Sequence, residues 1–257
     1  MAEPSRRAIL AGVASLPLAR ILADPGLAHA AAETTRPQQI TTAGGRKVGA
    51  ALGRPAQVPA PAVLLVHEWW GLNDQMRTMA AELATHGYMA LAVDLFGGRV
   101  ATTQEDAKRQ IEAVDPVVAE DILASWLQWL GNHQDSNRSL ATLGWCFGGG
   151  WALKAATFRP VDATVVYYGK VDLPAGQLER LKGPVMGHFG RRDTFVTPRV
   201  VDAFEQAMKQ AGKPYQVFWY DAGHAFANPS GGTWDSDAAQ LAWKRTLEFL
   251  GKELRTG

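Results

Sequence analysis

The chain lacks a second cysteine. Cys146 is the only one in 257 residues, so no disulfide can form within the chain and its fold does not depend on oxidation. It also lacks an excess of either charge: 26 Lys and Arg stand against 25 Asp and Glu, a net charge of +1. There is no basic stripe and no interleaving of basic with aromatic residues, so neither nucleic acid nor an anionic membrane surface is expected as a partner. Beyond the N-terminal leader, no stretch approaches the ~20 apolar residues that a membrane span requires. No internal repeat and no second-domain boundary is visible. The histidines and carboxylates show no metal-ligand spacing, and His67 and His188 lie in apolar runs and read as core residues. No metal and no cofactor are expected.

What is present is the composition of a globular protein, 47% hydrophobic and 20% charged with 26 glycines. The length suits one α/β core. The N-terminus reads as an export signal. Ser5-Arg6-Arg7-Ala8-Ile9-Leu10 is a twin-arginine pattern, an apolar stretch runs on to Leu22, and Ala28-His29-Ala30 is an A-x-A cleavage site. The expected organisation is a signal over 1–30 and a single domain over 31–257, the mature protein being periplasmic and monomeric. A free thiol in an oxidising compartment implies burial or a use, because the oxidation ladder makes it vulnerable.

After a linker over 31–37, the pattern alternates between strands and helices. Gln38–Thr42 and Arg46–Leu52 flank a hairpin turn at Ala43-Gly44-Gly45. Continuous apolar runs at Ala62–His67, Tyr88–Leu95 and Ala163–Tyr168 read as buried parallel strands. Asn73 or Asp74 caps a helix that presents Met76, Met79, Ala80 and Leu83 on one face. Further helical patterns cover Thr103–Val114, Pro116–Leu130, Pro198–Ala211 and Ser236–Leu250. The implied architecture is α/β: a mostly parallel central sheet flanked by helices on both faces.

One motif carries the chemistry. Gly144-Trp145-Cys146-Phe147-Gly148 follows an apolar run and opens into a small-residue helix, the strand–turn–helix context of a nucleophile elbow. The glycines are needed where a Cβ would clash with the neighbouring strand and helix. Downstream, Asp193 and His224 each stand just past the end of a predicted strand, the edge where open parallel sheets bind ligands. The order nucleophile, acid, histidine is the order that such an elbow requires. Asp221 and Asp94 are rival acids, and loop order favours Asp193.

These residues, with His67-Glu68-Trp69-Trp70-Gly71-Leu72-Asn73, Asp94-Leu95-Phe96-Gly97-Gly98-Arg99, Tyr167-Tyr168-Gly169, Gly187-His188-Phe189-Gly190 and Gly223-His224-Ala225-Phe226, resemble the dienelactone hydrolases, cysteine members of the α/β-hydrolase fold. The resemblance runs from about residue 40 to the C-terminus. It implies a Cys146–His224–Asp193 triad and an oxyanion hole formed by the Trp69 and Phe147 amides. It also implies that Glu68 contacts the thiol and that Arg99 grips a substrate carboxylate. Trp70 and Tyr168 are further pocket candidates. A second carboxylate-binding arginine, which the family carries shortly after the catalytic histidine, is absent: Ala227-Asn228-Pro229 occupies that stretch, and an amide cannot supply the charged fork of arginine. The implied activity is cofactor-free hydrolysis of a small lactone or ester through a thioester. A non-catalytic ligand-binding role and a thiol redox role are the alternatives.

Overall fold

The computed structural model describes residues 18–255. The twin-arginine pattern lies outside the described residues. Two short helices come first, α1 (Leu18–Ala23) and α2 (Pro25–Ala32), followed by a hairpin of β1 (Arg36–Thr41) and β2 (Lys47–Gly53). The stretch expected to be linker is therefore mostly structured, with only Glu33–Thr35 left as a connection. Then come β3 (Ala60–Val66), α3 (Asp74–Thr85), β4 (Met89–Val93), α4 (Gln104–Glu112) and α5 (Pro116–Asn132). The second half holds β5 (Ser136–Trp145), α6 (Phe147–Phe158), β6 (Ala163–Tyr167), α7 (Ala175–Leu178), β7 (Val185–Gly190), α8 (Pro198–Gln210), β8 (Tyr215–Tyr220) and α9 (Ser236–Arg255).

Helix starts follow local chemistry. The Asn73 side chain accepts the Met76 N–H at 3.1 Å and caps α3. The Asp115 side chain accepts the Val117 N–H at 2.8 Å, with Pro116 in the first turn of α5.

Among the described residues the strands form one sheet in the order β1-β2-β4-β3-β5-β6-β7-β8. The β1–β2 and β2–β4 pairings are antiparallel, and the rest are parallel. Both faces are covered. From β3, Leu64 and Val66 pack with Trp126, Leu153 and Phe204 of α5, α6 and α8. Val63 and Leu65 face the other way, onto Met79, Leu83, Phe249 and Leu250 of α3 and α9. Because both faces are buried, the central strands read as unbroken apolar runs. Parallel pairing brings the C-terminal ends of β3 and β5–β8 to one edge, and the site is built there.

Candidate active site

The elbow is a backbone problem before it is a chemical one. Cys146 leaves β5 at φ 51° and ψ −117°, a conformation a non-glycine residue adopts only when its surroundings enforce it. A Cβ on Gly144 would stand 2.1 Å from the Gly148 carbonyl oxygen, and one on Gly148 would stand 2.2 Å from that of Val66. Glycine at both positions lets α6 start hard against β3 and β5. The Cys146 thiol is thereby held at the N-terminus of α6, where unpaired amides favour negative charge.

Asp193 and His224 stand in the loops that follow β7 and β8. The Asp193 Oδ1 accepts the Phe195 and Val196 N–H groups at 2.7 and 2.9 Å, which fixes the carboxylate in its own loop. Its Oδ2 lies 2.7 Å from His224 Nδ1, and His224 Nε2 lies 3.1 Å from Cys146 Sγ. The imidazole sits between the rings of Tyr168 and Phe195, 5.3 and 5.1 Å away. The Thr233 hydroxyl donates to the His224 carbonyl. Burial alone would lower the imidazole's pKa, but the hydrogen bonds and negative charge of Asp193 and Cys146 outweigh it and push it up to about 10. The rival acids are engaged elsewhere. Asp221 is exposed beside Arg192, and Asp94 accepts the Phe96 and Gly98 amides of its own turn.

Glu68 follows β3 and is buried, 4% exposed. The sequence reading puts it in contact with the thiol, but its hydrogen bonds go elsewhere: the Tyr168 hydroxyl donates to Oε1 at 3.1 Å, and Asn228 Nδ2 donates to Oε2. Burial pushes the carboxyl up, opposed by Tyr168, Asn228 and His224. Tyr168 is fully buried at φ 38° and supports Glu68 from below rather than opening onto solvent. His67, also fully buried, lies 2.6 Å by Nδ1 from the Glu68 carbonyl and accepts the Leu95 N–H on Nε2 at 3.2 Å. That pairing fixes its tautomer and fastens the end of β3 to the end of β4. Burial lowers its pKa.

The Trp69 and Phe147 amides donate to no other described residue, so both N–H groups remain available at the strand ends. The Trp69 and Trp70 rings meet edge to face at 5.1 Å. Arg99 lies beside the loop that follows β3: its backbone abuts Gly71, its side chain is exposed, and its Nε donates to the Phe96 carbonyl at 3.3 Å. Among the described residues no group of three or more His, Cys, Asp or Glu side chains is placed to hold a metal ion.

Sequence reasoning missed two participants. Asn228 was visible there only as the absence of an arginine. Phe195, on the lip of the site, carried no signal beyond being two residues from Asp193.

Residues 48–254 match the model of the dienelactone hydrolase family. The chain is 30% identical over 217 residues to the carboxymethylenebutenolidase of Pseudomonas putida, covering 80% of this chain and 92% of that one. It is 29% identical over 219 residues to the carboxymethylenebutenolidase of Rhodococcus opacus, covering 76% and 82%. Among solved structures, the dienelactone hydrolase-like promiscuous phosphotriesterase P91 from metagenomic libraries superposes with a TM-score of 0.78 at 22% identity, over 86% of this chain and 99% of that one. Esterase 2 of Thermogutta terrifontis does so with a TM-score of 0.65 at 19% identity, over 85% and 94%. At such identities the likeness is one of fold.

Proposed function

The chain belongs to the dienelactone hydrolase family and is a hydrolase of lactone and ester bonds; we propose that it works without a cofactor, through a Cys146–His224–Asp193 triad and a covalent thioester. The observation that carries this reading is the continuous line from Asp193 Oδ2 through the His224 ring to Cys146 Sγ, at 2.7 and 3.1 Å, ending on a residue held in a strained elbow.

Asp193 holds the imidazole in one tautomer, and the imidazolium favours a thiolate on Cys146. The thiolate attacks the substrate carbonyl carbon, and the carbonyl electron pair moves onto oxygen. The Trp69 and Phe147 amides receive that oxyanion; losing one such donor commonly costs about 2.7–4 kcal/mol. Collapse of the adduct breaks the acyl C–O bond and leaves a thioester. The departing oxygen takes the proton from His224. The neutral imidazole then removes a proton from water, which attacks the thioester, and the acid and the thiolate are released. An enol lactone suits this nucleophile because its enolate is a good leaving group.

The test is initial-rate hydrolysis of lactones and short p-nitrophenyl esters. Cys146→Ser and His224→Ala are each expected to lose roughly 10³-fold or more in kcat/KM. Cys146→Ala retaining most of the activity would overturn the mechanism. Acyl-enzyme trapping followed by mass measurement should find the adduct on Cys146.

The twin-arginine pattern supports export to the periplasm, with the mature enzyme acting there as a monomer on a small-molecule substrate. Fractionation of expressing cells tests the first point and light scattering the second.

A further inference from the structure

The charges around the thiol are distributed unevenly. Glu68, Tyr168 and Asn228 form a closed cluster beside it. Asn228 is 2% exposed, and its Oδ1 accepts the Ser230 N–H at 2.9 Å, which orients the amide so that Nδ2 faces Glu68. Both carboxyl oxygens of Glu68 are thus occupied by uncharged donors. Among the described residues no arginine or lysine hydrogen-bonds or ion-pairs with Cys146, His224, Glu68, Tyr168 or Asn228. Arg192 binds Asp221 and Arg191 lies over the Trp219 ring, while Arg99 gives its Nε to the Phe96 carbonyl on the exposed side of the loop after β4. The imidazole's two nitrogens are taken by Asp193 and Cys146.

Beside this cluster stands one exposed aromatic ring. Phe195 is 78% exposed, yet its ring is set 5.1 Å from that of His224, and its amide is fixed by Asp193. Among the described residues it is the one exposed large aromatic ring in contact with a triad member.

A substrate carboxylate entering here would leave water without a cationic donor from this cluster, since both His224 nitrogens are already taken, and would approach Glu68 and the thiolate, both of its own sign or able to take it. An uncharged ester asks only for the two free amides and the face of Phe195. We infer that this enzyme takes uncharged lactones or esters with an apolar substituent, and that Asn228 is the residue that sets the preference, by holding Glu68 with an amide where a carboxylated substrate would need a cation. The inference rests on the proposed hydrolase reading and narrows it to a substrate class.

The experiment is a matched pair: one lactone bearing a free carboxylate and the same lactone as its methyl ester, assayed across a salt series with the wild-type chain and Asn228→Arg. The methyl ester should be preferred by about tenfold or more in kcat/KM. Turnover of the carboxylate should hold steady or rise with salt as repulsion is screened. Asn228→Arg should close that gap by about tenfold. Wild-type preference for the free carboxylate, with rates falling as salt rises, would overturn the inference and leave the hydrolase reading intact. This wild-type comparison decides the matter even if the arginine variant does not fold. Turnover of neither lactone nor of the p-nitrophenyl esters would instead remove the hydrolase reading, and this inference with it.

Discussion

At the scale of single residues, His224 sets the behaviour of the site. Its pKa, raised from 6.5 to about 10, means that the folded protein holds this proton more tightly than the unfolded chain. The stability it contributes is fully present below about pH 6.5 and is lost as pH rises through about 10. Melting temperatures of the wild type and His224→Ala should therefore converge at alkaline pH relative to their separation at pH 6; a constant separation would argue against a protonated imidazole. Glu68 is a second lever. Glu68→Gln keeps the shape but removes the ionisable group beside the thiol, and the rate of Cys146 alkylation by iodoacetamide should change with it. Unchanged alkylation together with unchanged turnover would make Glu68 a structural residue only.

At the scale of elements, the elbow is the tightest joint. Gly144→Ala would drive a methyl group into the backbone of α6 at 2.1 Å from the Gly148 carbonyl. Backbone cannot rotate aside as a side chain can, so the helix must shift. The expected cost is at or above about 1–3 kcal/mol, with turnover falling further than stability because Cys146 moves relative to His224. A melting curve and kcat on the same preparation check this, and unaltered values for both would show that the contact relaxes freely. Strand and helix positions were largely legible beforehand, because buried parallel strands are continuous apolar runs and the helices carry caps and one-sided apolar faces. The exceptions have physical causes. The α1–α2 pair reads in sequence only as a leader, because its small apolar residues look alike in a signal and in a packed helix. The short α7 has neither a periodic face nor a side-chain cap.

At the scale of the whole molecule, α1 and α2 are part of the packing. Ile21, Ala28, Ala31 and Ala32 are buried, the Thr78 hydroxyl donates to the Ala28 carbonyl at 2.8 Å, and His29 pairs with Asp74 at 2.8 Å. Leu18 and Leu22 close one end of a cavity of about 400 Å³ lined by Met76, Met79, Trp145 and Trp243. The expected cleavage motif, Ala28-His29-Ala30, therefore lies within a packed helix that must unwind before a protease can use it. A chain beginning at Ala31 loses the burial of Ile21 and uncovers that cavity. It should melt roughly 3–12 °C lower than the full chain, given about 1.5–3 kcal/mol for burying such a side chain and 2–4 °C per kcal/mol at this size. It should also bind an apolar dye more strongly. Identical melting of the two forms would mean that the helices add nothing to the fold.

The sequence by itself determined the fold class, the strand and helix order and the elbow, together with an acid and a histidine in sequence after it. These follow from periodicity, glycine placement and residue order, which are properties of the chain alone. Only the tertiary structure decided which acid meets the histidine, where Glu68 spends its hydrogen bonds, that Arg99 gives its Nε to the Phe96 carbonyl, and that Asn228 and Phe195 stand beside the triad. Those facts depend on distances between segments up to 160 residues apart, as between Glu68 and Asn228. Such distances are set by how loops leave the sheet edge and by which buried polar group finds which partner. No local pattern in the chain encodes either.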